Sequence, residues 1–114
     1  MPGPDFLCGL DAAVSVVGGK WKALILWALS RRPHRFAELR RELEGISEKV
    51  LIQQLRELER DGVVHREVHE QVPPKVVYSL TSDGVALERA LAPLGDWGEE
   101  RMDRIAELRQ VQGG

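Results

Sequence analysis

The sequence points to a mainly α fold with one small β-hairpin, an α+β architecture of short helices. Apolar residues recur at helical spacing through most of the chain, and alternation replaces that spacing only between about residues 63 and 80, around a Pro-Pro dipeptide. A glycine and a serine cap also divide two consecutive short helices near the middle. With 114 residues, one domain over residues 1–114 is expected, since domains commonly run to about 100–150 residues. At 43% apolar and 30% charged, the chain has enough apolar side chains for a core and lacks the composition of a disordered segment.

Leu10, Ala13, Val14 and Val17 lie at i, i+3, i+4 and i+7, which predicts a first helix from Leu10 to Val17 closed by Gly18-Gly19. Between Lys20 and Ser30 the apolar residues surround nearly the whole helix, so this second helix should be the centre of the core, with Trp21 and Trp27 inside it. Pro33 stops it. Phe36, Leu39 and Leu43 then mark an amphipathic helix from about Arg35 to Glu44, with Gly45 past its end. Ser47 is a good cap for the next helix, which carries Val50, Leu51, Leu55 and Leu58 and ends at Asp61-Gly62. Two short helices joined by a tight Gly-containing turn form a helix-turn-helix, here over about residues 35–60.

After Gly62, Val64 and Val68 fall on one side of a strand, and Val76, Tyr78 and Leu80 on one side of a second. Gln71-Val72-Pro73-Pro74 cannot continue a ladder and should form the tip of this hairpin, a candidate wing over about residues 63–80. Thr81 or Ser82 can cap a last helix, about 82–110, whose apolar positions include Leu87, Leu91, Leu94, Met102, Ile105 and Leu108. Pro93, Gly95 and Gly98 should bend or interrupt it.

The net charge of −2 argues against a simple basic tether for nucleic acid, but the charge is unevenly distributed. Residues 31–66 hold nine basic side chains against seven acids, a net +2, while residues 81–114 hold four against seven, a net −3. On a wheel at about 100° per residue with Val50 at 0°, Arg56, Lys49, Arg60 and Gln53 fall at about 240°, 260°, 280° and 300°, opposite the apolar side. Glu48, Glu57 and Glu59 flank that stripe without entering it. Arg and Lys donate to guanine O6 and N7, and Gln pairs bidentately with adenine, so this face suits direct readout in a major groove. Arg31, Arg32, Arg35, Arg40 and Arg41 cluster before the turn, where the first helix of such a unit crosses the phosphate backbone. His69 and Lys75, near the hairpin tip, are candidates for phosphate or minor-groove contact. The competing use of the same fold is a protein–protein module that never touches DNA.

Other chemistries find less support. His65 and His69 on one strand would stand about 13 Å apart at roughly 3.3 Å per residue, too far to share an ion, so no metal or other cofactor is expected. The chain carries no Gly-x-Ser-x-Gly elbow, no phosphate loop and no recognisable carboxylate pair, so no enzymatic activity is expected. The longest stretch without a charged residue is eight residues, against about 20 for a membrane span, and the stretch from Met1 to Asp11 has no basic region leading into an apolar core. A cytoplasmic protein without membrane contact is expected. Cys8 is the sole cysteine and has no partner within the chain.

Several runs carry a family resemblance. Gly18-Gly19-Lys20-Trp21 with Ile25-Leu26, then Arg35 to Arg40, then Gly45-Ile46-Ser47-Glu48-Lys49-Val50-Leu51 resemble the HxlR-type winged helix-turn-helix transcriptional regulators of the MarR-like superfamily. The runs Gln54 to Val64 and Val72 to Thr81 resemble them too, and the likeness extends over about Cys8 to Gly98. It implies a small bacterial repressor or activator working as a homodimer on a palindromic operator in double-stranded DNA. Ser47, Lys49, Gln53, Arg56 and Arg60 are the recognition-helix candidates, and the resemblance also implies pairing of the first and last helices across a two-fold axis. Leu10, Val14, Leu87, Leu91, Leu94, Ile105 and Leu108 are the interface candidates. In members that sense electrophiles or oxidants, the reactive cysteine lies where Cys8 stands, ten residues before Gly18, so the resemblance makes Cys8 a candidate sensor and a small molecule or electrophile a candidate inducer. Cys8 sits at or just before a helix N-terminus, which favours negative charge, and Asp11 nearby opposes it.

Overall fold

The computed structural model describes residues 5–113. The first four residues, part of the N-terminal stretch read above for a targeting signal, lie outside the described residues, as does Gly114. The elements run α1 (Gly9–Val17), α2 (Lys22–Arg31), β1 (His34–Arg35), α3 (Phe36–Glu42), α4 (Glu48–Arg60), β2 (Val64–His69), β3 (Lys75–Leu80) and α5 (Ser82–Gly113). All five helices and the hairpin stand where the sequence places them, and their ends follow from local chemistry. The Ser47 hydroxyl accepts from the Val50 N–H at 3.1 Å and opens α4. Gly45 (φ 94°) and Gly62 (φ 78°) turn the chain after α3 and α4 in the left-handed region that side chains avoid.

The sheet has three strands in the order β1-β3-β2, all antiparallel, instead of the two expected. His34 pairs with Tyr78 and Arg35 with Val77, tying the start of α3 to the wing. Two residues between Pro33 and a helix are too few to show a period of two, which is why the sequence does not reveal this strand. On β2, Val64 is buried but Val68 is 48% exposed, because the hairpin extends past the rungs at which Leu80 and Tyr78 pack on the core.

Ile25, Leu26, Ala28 and Leu29 of α2 form the middle of the core, enclosed by Leu39, Leu43, Ile46, Leu51, Leu55, Leu58, Val63 and Val64. Trp21 packs half-buried at the edge of this cluster. Trp27, expected inside, is 51% exposed: the all-round apolar pattern of α2 exceeds what the protomer covers, and the Arg31 guanidinium lies over the indole 4.6 Å from its centre. In α1, Val16 and Val17 pack on the core, whereas Leu10 and Val14 of the expected stripe are 73% and 51% exposed.

The last helix is not interrupted. Ser82–Gly113 is one α-helix with Pro93 inside it, about 48 Å long at 1.5 Å per residue. Pro93 removes one backbone hydrogen bond, but both it and Arg89, whose carbonyl loses the donor, are exposed, so water can serve that carbonyl. Thr81 caps the helix: its hydroxyl accepts from Gly84 N at 3.0 Å and donates to Gly62 O at 2.6 Å. Leu87 and Leu91 pack on the protomer's own core, while Leu94, Trp97, Met102 and Leu108 beyond them are exposed.

Candidate nucleic-acid interface

The buried side of α4 is Leu51, Leu55 and Leu58, which turns Lys49, Gln53 and Arg56 to solvent as the wheel requires. They share a shallow, open concavity with Glu48 and Ile52. The ion pairs of α4 are Lys22–Glu57, Arg40–Glu48 and Arg60–Asp61, so Lys49 and Arg56 take part in none among the described residues. Their donors are free for an incoming partner. Arg60 differs: its Nε lies 3.1 Å from Asp61 Oδ1, and that carboxylate holds the guanidinium charge still more firmly. Ser47 is also exposed, but its hydroxyl oxygen is engaged in the helix cap.

The arginines before the turn are exposed, yet several carry acidic partners. Arg31 meets Glu42 at 2.7 Å, Arg32 meets Glu38 at 3.1 Å and Arg40 meets Glu48 at 3.8 Å. Arg35 gives its backbone N–H to Glu38 at 2.8 Å, and its side chain joins no ion pair among the described residues. That N–H holds the Glu38 carboxyl below the usual carboxylate range, with Arg32 acting in the same direction against desolvation. Glu42 is likewise held low, first by His34, whose Nε2 lies 3.0 Å from its carboxylate, and then by Arg31 and Arg32. His34 is buried, and its Nδ1 lies 2.8 Å from the Arg32 carbonyl oxygen, so this network joins β1 to the far end of α3. On the wing, His69 stands 3.0 Å from Glu67 and pairs in register with Lys75, which is half-buried.

Two residues beside the polar stripe of α4 are not singled out by the sequence. Ile52 lines the concavity over α4 and also a second groove that it shares with Leu55, Arg56, Glu59, Arg66 and Tyr78. Its wheel position, about 200°, lies next to Arg56 at 240° and could have revealed it. Arg66 is opposite Tyr78 on the hairpin and in no ion pair among the described residues, but only the tertiary contact between α4 and β2 puts it beside Arg56.

The spatial order is thus an acid-partnered α3, a free-donor face on α4 and a hairpin wing alongside. Known proteins resemble this chain in sequence and in fold. The uncharacterized HTH-type transcriptional regulator YdeP of Bacillus subtilis (strain 168) is 48% identical over 105 residues, covering 92% of this chain and 82% of that protein. The uncharacterized HTH-type transcriptional regulator YtfH of Escherichia coli (strain K12) is 43% identical over 102 residues, covering 90% of this chain and 81% of that protein. Among solved structures, the redox regulator HypR in its reduced form superposes with a TM-score of 0.82 at 43% identity, covering 88% of this chain and 99% of that one. The family model described as HxlR-like helix-turn-helix matches residues 16–106, from the end of α1 well into α5. By sequence and by fold, the chain belongs to the HxlR-like helix-turn-helix family.

Proposed function

We propose that the chain is a sequence-specific DNA-binding transcriptional regulator that acts as a homodimer on a palindromic operator. The observation that carries this reading is the exposed side of α4, where Lys49 and Arg56 stand without acidic partners among the described residues and share one concavity with Gln53. Those three side chains read base edges, with Ser47 and Arg60 at the two ends of the face. Arg31, Arg32, Arg35, Arg40, His69 and Lys75 meet phosphates and set register; for those with acidic partners, the phosphate competes with a carboxylate. The HTH-type regulators among the relatives support this use of the fold. The cytoplasm, where a prokaryotic chromosome lies, is the proposed place of action.

The homodimer rests on apolar surface that the protomer leaves open: Leu10 and Val14 on α1, and Leu94, Trp97, Met102 and Leu108 on α5. Ile105 is half-buried within the same stretch. Two copies joined here would place two α4 faces on half-sites about 10–10.5 bp apart, centre to centre.

Cys8 is the proposed control point. It is the exposed N-cap residue of α1, on the same helix as Leu10 and Val14, and the likeness to a redox regulator supports the assignment. Two thiols, one from each subunit or one from a small thiol, would give up two electrons and two protons to an oxidant such as diamide and close a disulfide. Alkylation by an electrophile is the other covalent route.

The test is selection of duplexes from a random library by the purified protein, followed by a salt series on the winner. Specific binding should weaken by a log–log slope of about −0.9 for each phosphate contacted. Failure to enrich any sequence would reject the reading and leave a protein–protein module. Cys8→Ser should abolish diamide-induced release, and unchanged release would remove Cys8 from the mechanism.

A further inference from the structure

Lys22, the first residue of α2, is 6% exposed, and a buried ammonium requires a partner. Its Nζ reaches through to α4 and lies 2.8 Å from Glu57 Oε1. Glu57 is at about 340° on the α4 wheel, beside Gln53 at about 300°, and one helical turn separates the two on the same surface. We propose that Lys22 is a positioning residue for DNA recognition: from inside the protomer it neutralises and fixes Glu57, and Glu57 fixes the amide of Gln53 before DNA arrives.

The consequence rests on the reading that α4 meets DNA: Lys22 holds the Glu57 carboxylate from behind without occupying the face. A Glu57 anchored at 2.8 Å also offers its remaining carboxylate oxygen as a fixed acceptor one turn from Gln53, which selects how the amide presents its donor and acceptor. The Glu57 carboxyl is held below its ordinary range, first by Lys22, with Gln53 acting in the same direction.

The inference is tested on full-length protein with the duplex that the wild type selects, the same duplex substituted at each base pair in turn, and a random duplex. Glu57→Asp keeps the charge but withdraws it from both neighbours by one methylene. The double variant Lys22→Met with Glu57→Gln removes both charges and leaves neither unpaired. Both variants should bind random duplex within about twofold of wild type and melt cooperatively. Both should lose about tenfold in discrimination at the base pair that Gln53→Ala also relaxes. Full discrimination there in either folded variant overturns the inference, and so does a uniform loss on selected and random duplex, which marks a purely structural role. If the double variant does not fold, Glu57→Asp decides alone. A wild type that selects no duplex brings down the functional reading together with this inference, whereas a selective wild type with equally selective variants rejects this inference only.

Discussion

Replacing Gly84 by alanine opposes helix propensity to packing, and the structure decides which wins. In the interior of a helix such as α5, alanine is favoured over glycine by about 1 kcal/mol. Gly84, however, is buried where α5 begins, and a Cβ there would run into the Val63 carbonyl oxygen while standing 3.0 Å from the Val63 carbonyl carbon and 3.3 Å from Leu80 Cβ. The obstacle is backbone, so no flexible side chain can swing away. Retreat of α5 would stretch the bond from Thr81 N to Val63 O (3.1 Å) and that from the Thr81 hydroxyl to Gly62 O (2.6 Å). Overpacking costs about 2 kcal/mol and the two weakened hydrogen bonds about 1 together, against the propensity gain of about 1, so the net is a loss of about 2 kcal/mol. At about 4 °C per kcal/mol for a chain near 100 residues, Tm should fall by about 8 °C. Far-UV circular dichroism melts at one fixed protein concentration measure it, with Ala86→Gly, at an exposed position two residues on, as the control that reports propensity alone. A Gly84→Ala protein melting at or above the wild type would refute the reasoning, because it would mean that the contact between α5 and the turn after α4 has room for a methyl group.

Ser47→Ala, which leaves the Val50 N–H without its hydroxyl acceptor, should cost about 1 kcal/mol in urea unfolding, and Ser47→Asp should retain most of the wild-type stability. Arg56→Ala and Lys49→Ala should each reduce discrimination among operator variants by about 1–3 kcal/mol without lowering Tm; intact discrimination in both would move the reading face elsewhere. Glu38, Glu42 and Glu57 all titrate below the ordinary value of 4.5 in the fold, so the unfolded chain binds their protons more tightly. Their contribution to stability is complete above that value and is lost as pH falls through the folded values. The urea midpoint should therefore drop between pH 5 and 3, and Glu42→Gln should shrink that drop; a midpoint that rises on acidification would contradict it. Leu108→Asp, placing a charge on exposed apolar surface of α5, should turn the proposed homodimer into a monomer in sedimentation while keeping the core intact.

The amino-acid order alone was sufficient for the five helices and the hairpin, though not for β1, because each of those signals is local. The apolar period of α4, the Ser47 hydroxyl at its start and Gly62 past its end lie within one segment, and each acts through neighbours a turn or less away. The direction of Lys49, Gln53 and Arg56 was legible for the same reason: once Leu51, Leu55 and Leu58 are committed to the core, helical geometry leaves these three no other side. What the order of residues does not carry is the pairing of groups from distant segments. Lys22 and Glu57 are 35 residues apart, Arg31 and Glu42 eleven, and which carboxylate meets which cation follows from how the helices cross. Trp27 illustrates the same limit for burial: its neighbours in sequence are apolar, but the protomer runs out of elements to cover that side of α2. The uninterrupted α5 is a third case: Pro93 sits inside a continuous helix, and the exposure of Pro93 and Arg89, which lets water serve the carbonyl that loses its donor, is a property of the fold. Short-range periodicity and capping are therefore written in the chain, whereas the charge state of the exposed α4 face, its free donors against its neutralised ones, exists only once α2, α3 and α4 have packed together.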